Sequence, residues 1–145
     1  ILKDLGINYE VRVASAHRTP DEVARYVVDA ENRGCQVFIG AAGLAAHLAG
    51  AVAARTTRPV IGIPCDGGPL NGVDALYSTV QMPGGIPVAT VAVGKAGAKN
   101  AAYLAAQIMA LSDPELDLRV KEDRRKASEA VMVKDAALQE KLAKL

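Results

Sequence analysis

Short β-branched runs alternate along this chain with segments whose apolar residues recur at helical spacing, and glycine or proline marks most of the changes. Tyr9-Glu-Val-Arg-Val-Ala14, Gln36-Val-Phe-Ile-Gly40, Pro59-Val-Ile-Gly-Ile-Pro64 and Val88 to Val93 read as strands. Helices are predicted over Asp21 to Arg33, Leu48 to about Arg55, Val73 to Val80 and Asn100 to Leu111. Such strand–helix–strand units cross over right-handedly and build a parallel sheet with helices on both faces, so the expected class is α/β.

Several boundaries carry their own chemistry. Thr19 is placed as an N-cap, with Pro20 at the first helical position and Glu22 three residues on, the pattern of a capping box, and Gly34 stops that helix. Ile1-Leu-Lys-Asp-Leu-Gly6 reads as the last turns of a helix closed by a C′ glycine. An α/β domain rarely opens in mid-helix, so a further strand and more of that helix are expected ahead of Ile1. Ser112-Asp-Pro-Glu115 starts a final helix predicted to reach Leu145. It carries Leu116, Val120, Ala127, Val131, Leu138 and Leu142 among many charges, and its length predicts packing across a neighbouring subunit. Residues 1–113 are thus expected to form the α/β domain and 114–145 a helical extension.

Composition narrows the partners. Half the residues are apolar but only 3% are aromatic, with no Trp, so the core must come mainly from Ala, Val, Leu and Ile. Lys and Arg number 17 against 16 Asp and Glu, a balance that argues against a nucleic-acid surface. No apolar run approaches the roughly 20 residues of a membrane span. Cys35 and Cys65 have no metal-ligand spacing and read as reduced thiols of a cytoplasmic protein. A small molecule is the expected ligand.

The chemistry concentrates in Ser15-Ala-His-Arg-Thr-Pro20, at a strand-to-helix junction where open α/β sheets bind ligands. Arg18 beside a helix N-terminus suits a phosphate dianion, and Ser15 adds a hydroxyl donor; a solvated arginine and a turn serine are the plain alternative. The chain's two histidines, His17 and His47, both follow predicted strands, and an imidazole titrating near neutrality can take a proton and return it elsewhere. Gly40 to Gly50 has neither a Walker lysine nor dinucleotide spacing; its small residues permit close approach to a flat ligand, or close packing of helix on sheet. Gly67-Gly68 and Gly84-Gly85 read as walls or lids, or as ordinary loops. Asp66 and Asp74 suggest neither a metal site nor a carboxylate pair.

Ser15 to Pro20, taken with Ala45-Ala-His-Leu48, Leu70 to Leu76, Val80 to Thr90 and Gly94 to Ala101, resembles the PurE family of purine biosynthesis from residue 1 to about Asp113. The resemblance implies a three-layer α/β/α sandwich with a parallel, flavodoxin-like sheet, assembled as a homo-octamer with sites between subunits. It implies transfer of a carboxylate from the exocyclic nitrogen of carboxyaminoimidazole ribonucleotide to ring carbon 4, without metal or organic cofactor. By similarity His17 is the acid/base, Ser15 and Arg18 bind the ribose phosphate, and Gly43, Ala46, His47 and Leu48 line the imidazole pocket. His47 favours the mutase over an animal-type carboxylase using free carbon dioxide. A non-catalytic nucleotide-phosphate binding module, or a fragment retaining only assembly, are the other readings. The family's glycine-serine loop lies upstream of Ile1, Ala49 stands where the family usually has proline, and Cys65-Asp-Gly-Gly68 replaces a serine-containing loop.

Overall fold

The computed structural model describes residues 1–144. Its elements, in chain order, are α1 (Pro20–Asn32), β1 (Phe38–Ala42), α2 (Leu48–Ala53), β2 (Val60–Pro64), α3 (Val73–Val80), β3 (Ala89–Thr90), α4 (Gly94–Ala110) and α5 (Pro114–Leu142). The three strands form a parallel sheet in the order β1-β2-β3. The α/β class expected from the alternation is the one observed.

Side-chain alternation along β2 divides the layers. Val60 joins Phe38, Ala49, Val52 and the α1 residues Val23 and Val27 in one cluster, while Ile61 and Ile63 join Ala101 and Ala105 of α4 in another. A third cluster unites Leu5 and Ile7 with Ala106 of α4 and with Leu116 and Val120 of α5. Aromatic scarcity is met by close approach. Gly40 and Gly62 lie side by side in register, and a Cβ on Gly40 would come within 3.0 Å of the Ala49 Cα. Helix α2 therefore sits almost directly on the backbone of β1 and β2, the close-packing alternative raised for the Gly40 to Gly50 segment.

Some chain turns and helix ends follow local rules. Gly6 and Gly34 both adopt positive φ, +69° and +93°, and each closes a Schellman motif, with Ile7 N–H donating to Leu2 O and Cys35 N–H to Ala30 O at 2.9 Å. Asp113 caps α5 by accepting from Leu116 N–H at 3.0 Å, with Pro114 at the first position. At Thr19 the capping box does not form. The hydroxyl turns back to donate to Ser15 O at 3.1 Å, and the Glu22 side chain pairs with Arg25 instead.

Four expectations shift on the structure. Tyr9 to Ala14 is no ladder strand: among the described residues it makes no backbone–backbone hydrogen bond, and Val11 and Val13 are 78% and 103% exposed. Strand-forming side chains need a partner strand to realise the preference, and no described strand lies beside them. Strand β1 starts two residues later than expected and takes in Ala41 and Ala42, because their backbone pairs with Ile63 and Pro64. Only Ala89–Thr90 of the run Val88 to Val93 pairs with β2. Helix α4 begins six residues earlier than Asn100; its two early glycines suggest a loop, yet a Cβ on Gly97 would strike the Ala92 carbonyl at 1.6 Å, so glycine is what lets the helix start there.

Candidate active site

The loop Ser15 to Thr19 is wound tightly on itself. Ser15 N–H donates to Thr19 Oγ1 at 2.9 Å, Thr19 N–H to Ser15 O at 2.9 Å, and Arg18 N–H to Ser15 Oγ at 3.1 Å. The serine hydroxyl oxygen thus stabilises the turn that carries His17 and Arg18, a role added to the donor role expected for it. His17 and Arg18 are both exposed. Upstream, Glu10 fastens the stretch to α1 by accepting from Tyr26 Oη at 2.9 Å and from Arg33 Nη2 at 2.7 Å. The Arg33 bond, then the Tyr26 bond, hold the Glu10 carboxyl below its usual range. Burial, reinforced by the Glu10 bond, pushes the Tyr26 phenol up to about 12.

The second loop leaves the carboxyl end of β1. Leu44 takes a left-handed conformation at φ +57° and its carbonyl accepts from Ala46 N–H at 2.8 Å, a narrow turn that delivers His47 to the N-cap of α2. Ala46 is buried, Leu48 half-buried and His47 exposed. Gly43 backs onto Cys65 at the end of β2, and Leu44 lies over Gly68, so this loop and the Cys65 to Gly68 loop form adjoining walls.

The two loops bring the two histidines together. The His17 and His47 rings face each other with centroids 6.3 Å apart and planes 6° from parallel. The His47 ring lies close over Gly50: a Cβ on Gly50 would lie 3.1 Å from His47 Cε1 and Nδ1 and 3.2 Å from Met82 Sδ. Gly50 does not stand out in this role in the sequence, because an i, i+3 glycine after a histidine carries no signal until the ring's direction is known. Of the expected site residues, Ser15, His17 and Arg18 share one loop and Gly43, Ala46 and His47 the other, with Leu48 opening α2 beside it, and the facing rings join the two. No cluster of three or more His, Cys, Asp or Glu side chains forms among the described residues.

The motifs that carry these two loops were next compared with those of known proteins. Residues 1–130 match the AIR carboxylase (AIRC) family. The chain belongs to that family. It is 52% identical over 132 residues to the N5-carboxyaminoimidazole ribonucleotide mutase of Bacillus subtilis (strain 168), covering 91% of this chain and 82% of the relative. The enzyme of the same name from Escherichia coli (strain K12) is likewise 52% identical over 132 residues, 91% of this chain and 78% of the relative. The crystal structure of Treponema denticola PurE superposes with a TM-score of 0.82 at 32% identity, covering 94% of this chain and 84% of that one. This member of the AIR carboxylase family therefore shares a fold as well as motifs with its relatives.

Proposed function

We propose that this chain is an N5-carboxyaminoimidazole ribonucleotide mutase, an isomerase of purine biosynthesis. The observation that carries the reading is the pairing of His17 with His47 across two loops, in a chain half identical to enzymes of that name. In the reaction the carbamate N–C bond breaks, carbon dioxide departs, and the electron pair left on nitrogen is protonated. The ring carbon then attacks the trapped carbon dioxide, and the proton on that carbon is removed. One acid/base group serves both proton transfers, and His17 is assigned to it. Arg18 and Ser15 hold the ribose phosphate at the N-terminal end of α1. Gly43, Ala46, His47 and Leu48 line the wall that keeps the imidazole and carbon dioxide from solvent.

The assembly assigned to the chain is a homo-octamer in the cytoplasm, with α5 packed across a neighbouring subunit. The buried stripe of Leu116 and Val120 continues along α5 through Val131, Leu138 and Leu142, which are exposed in the single chain, and this supports the reading.

The test is product formation from carboxyaminoimidazole ribonucleotide in bicarbonate-free buffer, run beside aminoimidazole ribonucleotide with added carbon dioxide. Conversion of the carbamate without bicarbonate is expected; reaction of the free amine alone would replace the mutase with a carboxylase. His17→Asn is expected to lower turnover at least 100-fold while nucleotide binding persists. Unchanged turnover would remove His17 from its role.

A further inference from the structure

Among the described residues, Leu44 and Asn71 alone carry a side chain at positive φ, +57° and +50°. Asparagine tolerates that region because its short amide bonds locally; in leucine the Cβ crowds the following carbonyl, so something must hold the residue there. Backbone bonding does not. The one backbone hydrogen bond within residues 43–46, among the described residues, runs from Ala46 N–H to Leu44 O at 2.8 Å; the ring it closes begins at the Leu44 carbonyl and leaves the Leu44 N–Cα bond outside. Deep burial does not either, since Leu44 is 55% exposed. What its side chain touches is Gly68: a Cβ there would fall 2.5 Å from Leu44 Cδ2 and 3.7 Å from Cγ, so the leucine rests on bare backbone. That backbone is itself tied down. Gly68 O accepts from Asn71 N–H at 3.3 Å, and the loop starts with Cys65 N–H donating to Ala42 O at 2.8 Å. It ends at Gly72, the N-cap of α3, where a Cβ would meet Val93 Cγ1 at 2.6 Å and Asp66 Cα at 3.1 Å.

We propose that Leu44 is a positioning residue for His47: braced on Gly68, its side chain holds the left-handed turn from which the His47 ring is presented to His17. Residues 43–46 are the whole path from the end of β1 to the N-cap of α2, and Ala46 within it is buried. So short a path has little slack, and a return of Leu44 to negative φ falls on the orientation of His47. The facing of the two rings, 6.3 Å apart and 6° from parallel, is thereby set in part by the Cys65 to Gly72 loop, which carries neither histidine. The effect on turnover rests on the mutase reading; the ring geometry does not.

The experiment is a series at position 44, with steady-state kinetics on carboxyaminoimidazole ribonucleotide, thermal denaturation and a crystal structure of each variant. Leu44→Ala keeps the cost of positive φ and removes the brace. It is expected to separate the rings and lower kcat about 10-fold or more, with KM within about 2-fold because Ser15 and Arg18 lie on the other loop. Leu44→Asn also lacks the brace but tolerates positive φ, and is expected to turn over about 3-fold faster than the alanine variant. Leu44→Met, which restores a long apolar brace, is expected to recover more than Leu44→Asn, and these two keep the comparison if the alanine variant does not fold. In a His47→Ala background, Leu44→Ala is expected to cost less than about 2-fold further. Equal losses in the alanine and asparagine variants, matched by falls in Tm, would make Leu44 a packing residue and overturn the proposal. Rings still facing in Leu44→Ala, or an undiminished loss in the His47→Ala background, would also overturn it. Were the parent chain itself unable to convert carboxyaminoimidazole ribonucleotide, the mutase reading would fall, and the ring separations in the crystal structures would decide the role of Leu44.

Discussion

At the scale of single residues, the placement of His47 rests on what is missing from position 50. A methyl group there would crowd the imidazole at 3.1 Å, and the ring, being exposed, is the part free to yield. Gly50→Ala is therefore expected to lower kcat/KM about 10-fold or more by turning His47 away from His17, while thermal stability holds or rises slightly, since alanine favours a helix interior. A loss of stability matching the loss of activity would count against a positioning role. Tyr26 gives a pH-dependent case. Its folded pKa of about 12 lies above the ordinary 10, so its contribution to stability is complete below pH 10 and is lost as pH rises toward 12. In denaturation series between pH 8 and 12, Tyr26→Phe is expected to be less stable than the parent below pH 10 and to converge on it above. The histidines could be picked out of the sequence because only two exist and both follow strand-like runs. Their mutual approach could not, because it depends on a left-handed Leu44 and on a ring direction that no spacing encodes.

Among the elements, local signals were most readable where backbone chemistry alone decides the outcome. The start of α5 is such a place: Asp113 and Pro114 spell a cap, and the bond to Leu116 N–H forms. Asp113→Ala is expected to cost about 1 kcal/mol, seen as a fall in Tm of roughly 2–4 °C, with the α5 fold otherwise kept. The same kind of signal failed at Thr19, where the hydroxyl had a competing acceptor in Ser15 O, so a capping motif gave way to a tighter loop. Helix α3 is bounded as its pattern predicts, at Val73 and Val80. The start of α4 was hidden, since Gly94 and Gly97 look like loop residues until the Ala92 carbonyl that Gly97 must clear is known. Tyr9 to Ala14 fails for a different reason: strand propensity is a preference for a place in a sheet, and the edge beside it is open.

Taken as a whole, the molecule has a compact α/β body and a helix that leaves it. Helix α5 is held to the body by Leu116 and Val120, by Arg119 donating to Leu5 O at 2.9 Å and by Tyr103 donating to Asp123 at 2.8 Å, whereas every described residue from Arg124 onward is exposed. Val131→Lys combined with Leu138→Lys is expected to reduce the assembly measured by sedimentation velocity while leaving the body folded, because neither residue touches its core. An unchanged sedimentation coefficient would free the α5 stripe from any part in assembly. With 29 residues α5 is roughly 43 Å long, more than the body alone can cover. Its outer half is sustained within the chain by pairs such as Arg125 with Glu122 and Lys144 with Glu140, contacts that salt screens. That half is consequently an optical gauge: dilution or added salt should register as lost helical ellipticity there, while the signal of the body remains.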